Sequence, residues 1–349
     1  MIVPSLDKKG PVIVAINLSN YYVKLGYDVD LLYLKEVNNR IFIDKRVRVK
    51  KLDLRSFCKF SDYDIIHSNS FLPDLITRIV SYFFRKPIYF STVHNFMKRD
   101  FNIDYGPIKA CILGFLWPLL INKTKKIFIS EAQEKYLLTN YFSSNYKGQN
   151  IQIYNPVVID DDDFSSKKEI NDFICEIKNK NGKIIGVSSV LTKRKSIDTV
   201  IKSMRLLPDH YTLIVIGSGS ERINLEELCF KIGVSERVIF TGFISNPFNL
   251  LKKVDLFVFP SEVEAFGLSG IEAGMLGIPL VVSEIDTFIE LYPKNIAGFF
   301  PVGDENALSE AIMNKMAEDI DVEYIKRAFD EKFSLRVVSK QYLEFYNES

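Results

Sequence analysis

No stretch of this chain constrains its fold more than Asp255 to Ser283. Asp255-Leu256-Phe257-Val258-Phe259 is a short apolar run stopped by Pro260, the pattern of a buried strand. Ser261 to Gly267 has the glycine and polar content of a loop. Ser269 to Leu276 has the length and composition of a short helix, closed by Gly277 with Pro279 just beyond. Leu280-Val281-Val282 is a second strand. A strand, a helix and a strand so closely spaced make a βαβ unit, which places the intervening loop at the carboxyl edge of a parallel sheet. That edge is where open α/β sheets bind ligands.

Two carboxylates with seven residues between them lie in this unit, Glu264 in the loop and Glu272 early in the helix. Around them run the backbone N–H groups of Phe266, Gly267 and Leu268, at the positive end of the helix dipole, a ready anion site. A carboxylate repels phosphate, so Glu272 is better suited to accept hydrogen bonds from neutral hydroxyls such as a ribose diol. The ligand implied is a nucleotide joined to something rich in hydroxyls. Isolated glutamates are more often solvated surface residues, and the spacing carries weight only with its strand, loop and helix in order.

Glu264-Ala265-Phe266-Gly267-Leu268 followed by Glu272-Ala273 resembles the E-x7-E signature of retaining glycosyltransferases of sequence family four, the group 1 glycosyl transferases. The resemblance implies the GT-B architecture: two doubly wound, Rossmann-like α/β domains facing each other across a cleft. It implies that Glu264 lies by the donor sugar and Glu272 holds the ribose. It covers nearly the whole chain, densely over 181–303 and thinly over 1–150.

A chain of 349 residues is too long for one ordinary core and suits two domains. Its 47% apolar and 26% charged content are those of a globular protein, and a net charge of +1 gives no drive toward nucleic acid. Cys58, Cys111, Cys175 and Cys229 are scattered, with no C-x-x-C pair, which fits a reducing cytoplasmic setting better than a disulfide scaffold. Lys8 and Lys9 interrupt the start, so no signal peptide is read there.

In chain order, Met1-Ile2-Val3 is the tail of a strand and Ser5 to Gly10 a loop, followed by a helix from about Pro11 to Leu25 and a strand over Val29 to Tyr33. Family members usually carry a Gly-Gly pair in that first loop. Here Lys9 replaces the first and Gly10 keeps the second, so the resemblance makes Gly10 a nucleotide-sugar contact. Asp64 to His67 and Ile88 to His94 are strands expected to end in histidine at the binding edge. A histidine after a strand is usually structural. That reading is taken for His67, whereas the resemblance assigns His94 a place by the donor sugar. Ile127 to Ser130 is a further strand, Glu131 to about Tyr141 a helix, and Ile151 to Pro156 the last strand of the first half.

Asp160-Asp161-Asp162-Asp163 reads as a solvated linker rather than a metal site. Asp62-Tyr63-Asp64 mimics a D-x-D metal motif, yet it precedes its strand and so lies at the wrong edge of the sheet. No metal site and no cofactor are expected. The domains expected are 1–157, a linker over 158–180, 181–332, and a closing helix over 333–349 that returns to the first domain.

The second half repeats the alternation. Lys183 to Val187 is a strand, Ser196 to Leu206 a helix, and Tyr211 to Ile216 a strand ending in Gly217-Ser218-Gly219, too short a glycine pattern to specify a nucleotide. Leu225 to Ile232 is a helix and Val238 to Phe240 a strand. Beyond the signature stretch, Asp304 to Met316, Val322 to Phe329 and Leu335 to Tyr346 are helices.

Leu191-Thr192-Lys193-Arg194-Lys195 puts three cations on a loop at the binding edge, suited to a diphosphate. Lys195 matches the family's phosphate-binding lysine. Val190 stands where the family has an arginine, and Arg194 is the candidate to supply that second charge. The expected activity is transfer of a sugar from a nucleotide diphosphate sugar, with UDP the expected nucleotide, to a hydroxyl of a glycan or lipid-linked glycan, without a metal. A nucleotide-sugar epimerase of the same fold and a non-catalytic binding subunit are the alternatives.

Cys111 to Ile121 is the longest apolar run, too short for a bilayer span of roughly 20 residues. Burial in the first domain is the preferred reading of this run. The alternative is that it and Tyr82-Phe83-Phe84-Arg85-Lys86, each followed by cations, rest on an anionic membrane surface.

Overall fold

The computed structural model describes residues 1–36, 42–53, 57–97, 99–100, 106–142, 149–160, 168–179 and 181–348. They form two compact units, one of Met1–Val158 with Lys332–Ser349 and one of Ile159–Glu331.

The first unit holds strands β1 (Ile2–Ser5), β2 (Asp30–Lys35), β3 (Arg48–Lys51), β4 (Ile65–Asn69), β5 (Ile88–Val93), β6 (Lys125–Phe128) and β7 (Asn150–Gln152). They pair in the order β3-β2-β1-β4-β5-β6-β7, every pair parallel. Helices α1 (Gly10–Lys24), α2 (Phe71–Phe83), α3 (Pro107–Leu120) and α4 (Glu131–Tyr141) alternate with them. Successive strand residues feed opposite faces: Val3 and Leu31 pack with α1, while Ile2 and Leu32 pack with Val80 of α2. Both faces are therefore covered, as a parallel sheet requires.

The short β1 lies between β2 and β4 with Ile2 and Val3 almost fully buried. Pro4 has no N–H to donate, and β1 meets β4 only through Ile2 and Ser68.

The second unit holds α5 (Lys168–Asn179), β8 (Lys183–Ser188), α6 (Ile197–Ser203), β9 (Tyr211–Ile216), α7 (Arg222–Ile232), β10 (Val238–Gly242) and α8 (Phe248–Leu251). It continues with β11 (Leu256–Phe259), α9 (Leu268–Met275), β12 (Leu280–Ser283), α10 (Asp286–Leu291), β13 (Ala297–Phe300), α11 (Glu305–Ala317) and α12 (Val322–Phe333). Its sheet runs β10-β9-β8-β11-β12-β13, again all parallel. The final helix α13 (Leu335–Asn347) belongs to the first unit, where Val338, Tyr342 and Phe345 enter the same core as α1.

Several elements differ from the sequence expectation. The stretch expected to be a linker contains α5, whose Ile174 is buried and whose Lys178 bonds Asp255 at 2.6 Å. Asp161 to Asp163 lie outside the described residues. β3 reads Arg-Val-Lys-Lys, fully exposed, with no apolar alternation to betray it. It is an edge strand held by ion pairs from Arg48 and Lys50 to the buried Asp30. β4 runs two residues past His67, so His67 is interior to the strand and not at its end. Ser68 and Asn69 look like loop residues yet are buried, because Ser68 donates to Asp74 at 2.5 Å and Asn69 meets His94. His67 itself is 1% exposed, with Nδ1 at 2.5 Å from Tyr346 Oη and Nε2 at 2.7 Å from Thr92 Oγ1. Burial holds its pKa well below the usual value. It is a core residue.

Candidate functional site

In the second unit the strand order reverses between β8 and β11, and the loops leaving those two strands flank the resulting crevice. The β8 loop tightens into a single 3-10 turn, Lys193–Lys195, and leaves it through Ser196 at φ 47°. The loops are joined at two points. The Glu262 N–H donates to the Arg194 carbonyl at 3.0 Å, and Ser196 Oγ donates to Glu262 Oε1 at 2.9 Å.

This stitching brings both expected cations to one carboxylate. Lys195 Nζ donates to Glu264 Oε1, and Arg194 Nη1 lies 3.7 Å from Glu264 Oε2 while donating to the Val263 carbonyl at 3.1 Å. The side chains of Lys195 and Glu264 are only 13% and 10% exposed, and the Lys195 ammonium sits 5.5 Å from the centre of the Phe259 ring. Lys193, in the same turn, is exposed, and so is Val190. Arg194 thus reaches Glu264 from four residues beyond Val190, where the family pattern has its arginine.

The β11 loop ends at Gly267, which opens α9 with φ 87°. A Cβ there would lie 2.6 Å from Phe259 Cε1, so glycine is required by conformation and by space. No side chain caps the helix, and its first amides, including those of Gly267 and Leu268, stand at the positive end of the dipole. Phe266 is buried, so only its backbone is available to a ligand. Glu272 follows one turn later, and burial pushes its carboxyl up to about 7. Beside it lies the buried phenol of Tyr292, accommodated because Gly270 has no Cβ to strike the Tyr292 hydroxyl.

Among the described residues of this unit, the buried side-chain polar atoms without a partner are Ser189 Oγ, Thr192 Oγ1, Arg194 Nε, Ser261 Oγ and Tyr292 Oη. Four belong to the two loops at the crevice and the fifth lies beside Glu272. Buried polar groups are normally paired, and here the exceptions gather in one place.

The glycines of the Gly217-Ser218-Gly219 turn are required by close packing against the β8 loop. Gly217, at φ 137°, passes against the Ser189 carbonyl and Gly219 against Leu191, where any side chain would collide. Leu191 N–H donates to the Ser218 carbonyl at 2.9 Å, which fixes the start of the basic loop.

His94 and Gly10 belong to the first unit. Gly10 is the first residue of α1, after Lys9, whose ammonium pairs with Asp7 at 3.6 Å. His94 follows β5, half-buried, with Nε2 at 3.1 Å from Asn69 Oδ1, and burial lowers its pKa to about 3, so it is neutral. Gln133 of α4 donates from its amide to the carbonyls of Val93 and Asn95, both at 2.9 Å, and so clamps the turn that carries His94. Nothing in the sequence marked Gln133, Tyr292 or Glu262 for these positions, since each acts across a long separation.

Among the described residues no three His, Cys, Asp or Glu side chains come together as a metal cage. Asp62 and Asp64 lie before β4, at the amino edge, where Asp64 pairs with Lys86 at 3.2 Å. No described helix is long and apolar enough to cross a membrane.

The family model described as Glycosyl transferases group 1 matches residues 169–330. The chain is 30% identical over 354 residues to the O-antigen biosynthesis glycosyltransferase WclY of Escherichia coli, covering 99% of this chain and 97% of that protein. It is 27% identical over 228 residues to the O-antigen chain mannosyltransferase RfbU of Salmonella typhimurium, covering 64% of this chain and 59% of that one. The fold matches the crystal structure of Anabaena HepE in complex with UDP and glucose, with a TM-score of 0.83 at 17% identity over 100% of this chain and 98% of that one. Two parallel α/β units of this order are the GT-B fold, and with the similarity to WclY over nearly its whole length the chain belongs to the group 1 glycosyl transferases.

Proposed function

We propose that this glycosyltransferase moves a sugar from a UDP-sugar to a hydroxyl of a glycan or lipid-linked glycan during assembly of a bacterial surface polysaccharide, retaining anomeric configuration and using no metal. The observation that carries the donor assignment is the convergence of Lys195 and Arg194 on Glu264, beside the uncapped start of α9. HepE binding UDP and glucose, and the O-antigen roles of WclY and RfbU, support the choice of donor and pathway.

In this reading the diphosphate lies against Lys195, Arg194 and the Phe266–Leu268 amides. Glu272 accepts hydrogen bonds from the ribose hydroxyls, and the base lies near Phe240 to Ser245, where Phe243 is exposed. The bond from the anomeric carbon to the diphosphate oxygen breaks, a bond to the acceptor oxygen forms, and the proton of the acceptor hydroxyl passes to the departing diphosphate. Negative charge gathers on the departing diphosphate, and two fixed cations with helix amides stabilise it as preorganised electrostatics. Glu264 orients the donor sugar and supports positive charge at its ring. Gly10 and neutral His94 are the further donor contacts that the family resemblance assigns, His94 as a hydrogen-bonding group rather than a cation.

Thermal stabilisation by a panel of nucleotide sugars tests the donor class, and turnover of the stabilising sugar in excess EDTA tests metal independence. UDP-sugars should raise Tm while ADP- and GDP-sugars do not, and turnover should persist in the chelator. Stabilisation by none of them, or activity restored only by Mg²⁺ or Mn²⁺, would overturn the respective half of the reading.

A further inference from the structure

Two neighbouring helices of the first unit leave a large amount of apolar side chain in water. Apart from Lys109, α3 is apolar all round, yet only one side is buried: Ala110, Gly114, Trp117 and Pro118 face inward. Helical spacing puts Ile108, Ile112, Phe115 and Leu119 on the other side, and Ile108 and Phe115 are 76% and 69% exposed. α2 lies alongside, joined through the edge-on packing of Phe71 against Trp117 at 5.6 Å. It adds Leu72, Ile79, Tyr82 and Phe83, the last also 69% exposed. A monomer rarely shows so continuous an apolar face without a use for it. The preferred sequence reading of Cys111 to Ile121, burial, holds for one face of the helix only.

The exposed charge on the two helices has one sign, although Lys86 beyond α2 is paired with Asp64 at 3.2 Å. The only carboxylate on either helix is Asp74, which is buried and accepts hydrogen bonds from Ser68, Ser91 and the Trp117 indole. Arg78 and Lys109 lie on the helices, and Lys123, Arg85 and Lys86 stand at their ends. The Arg78 guanidinium and the Lys123 ammonium both lie over the ring of Tyr82, at 4.9 and 5.0 Å. Lys123 is exposed, so its ammonium reaches water from the rim of this apolar surface as a snorkelling cation does, whereas Arg78 is half-buried with Nη1 shut away from water.

We propose that the α2–α3 face docks onto an anionic membrane leaflet, with Ile112, Phe115, Leu119 and Phe83 entering the acyl boundary and the cations meeting lipid phosphates. A second copy of the chain is a poorer occupant, because pairing like faces would bring Arg78, Lys109 and Lys123 of both copies together. The proposal rests on the sugar-transfer reading only for its purpose, holding the enzyme where a lipid-linked acceptor lies.

Flotation of the full chain with vesicles tests it. The protein should float with phosphatidylcholine vesicles containing phosphatidylglycerol at low salt, float much less at high salt, and stay behind with phosphatidylcholine alone. Ile112→Ser with Phe115→Ser should lower the fraction bound at least tenfold. Lys109→Gln and Lys123→Gln should each lower the partition coefficient about fivefold. Calorimetric titration of UDP into the same variants should be unchanged, which separates failure of this proposal from failure of the donor assignment. Wild-type protein that stays in solution with anionic vesicles at low salt overturns the proposal. So does concentration-dependent self-association that Phe115→Ser abolishes in a chain without vesicle binding, which would mark the face as a protein interface.

Discussion

Lys195 is hydrogen-bonded to Glu264, so the cation assigned to the diphosphate is held by the carboxylate assigned to the sugar. Both side chains are nearly buried, and Arg194 adds a second positive charge 3.7 Å from the same carboxylate. A diphosphate entering this site competes with Glu264 for Lys195. Glu264→Gln should therefore bind free UDP several-fold more tightly while losing transfer activity by at least a hundredfold. Calorimetry and a transfer assay on one preparation read both effects. Weaker UDP binding in this variant would mean the carboxylate organises the cations for the phosphates.

Glu272 is expected to make nucleotide binding pH-dependent. Its free carboxyl is raised from 4.5 to about 7 by burial, and ribose hydroxyls donate to the ionised form. Affinity for UDP should fall roughly tenfold between pH 8 and pH 6, by the linkage of binding to proton release. Because the folded value is raised, the protein's own stability runs the other way. The contribution is fully present below pH 4.5 and is lost as pH rises through about 7. Glu272→Gln should raise Tm by a few degrees at pH 8, much less at pH 5, and flatten the pH dependence of UDP binding that the wild type shows. An unchanged pH profile in Glu272→Gln would contradict the ribose assignment.

Asp74 should matter to the first unit as much as any apolar core residue. Its carboxylate accepts from Ser68 Oγ at 2.5 Å, Ser91 Oγ at 2.7 Å and Trp117 Nε1 at 2.6 Å, tying β4, β5 and α3 to α2. Asp74→Ala removes the acceptor shared by three buried donors, of which Ser68 Oγ keeps the Phe90 carbonyl at 3.1 Å, at a cost of about 3 kcal/mol. Scanning calorimetry should show the loss. A Tm within a degree of wild type would mean that water or a rotated serine takes over the network.

The signature stretch was legible because its punctuation is local. Pro260, Gly267, Gly277 and Pro279 mark the element ends, and Gly267 is required by its left-handed backbone and by Phe259 beneath it. Lys195 and Glu264 could be named from the sequence. Their contact could not, since it spans 69 residues and depends on hydrogen bonds between two loops. Ser68 and Asn69 look like loop residues and hide the true end of β4, because only the folded chain supplies Asp74 and His94 as their partners. β3 escaped for a related reason: its cations answer to Asp30 on the neighbouring strand. Half of α3 was misjudged as well, because an all-apolar sequence does not say which face is left in water.

The central claim is that the loops after β8 and β11 bind the diphosphate of the donor, with Lys195 the principal cation. Titration of UDP into Lys195→Ala and Lys193→Ala, compared by calorimetry, tests it most directly. Lys193 lies two residues away in the same turn and is exposed, so it controls for diffuse positive charge. Lys195→Ala should weaken UDP binding by tenfold or more, as expected for losing a charge-assisted hydrogen bond to phosphate, while Lys193→Ala changes it less than twofold. Equal losses in the two variants, or none in either, would contradict the account.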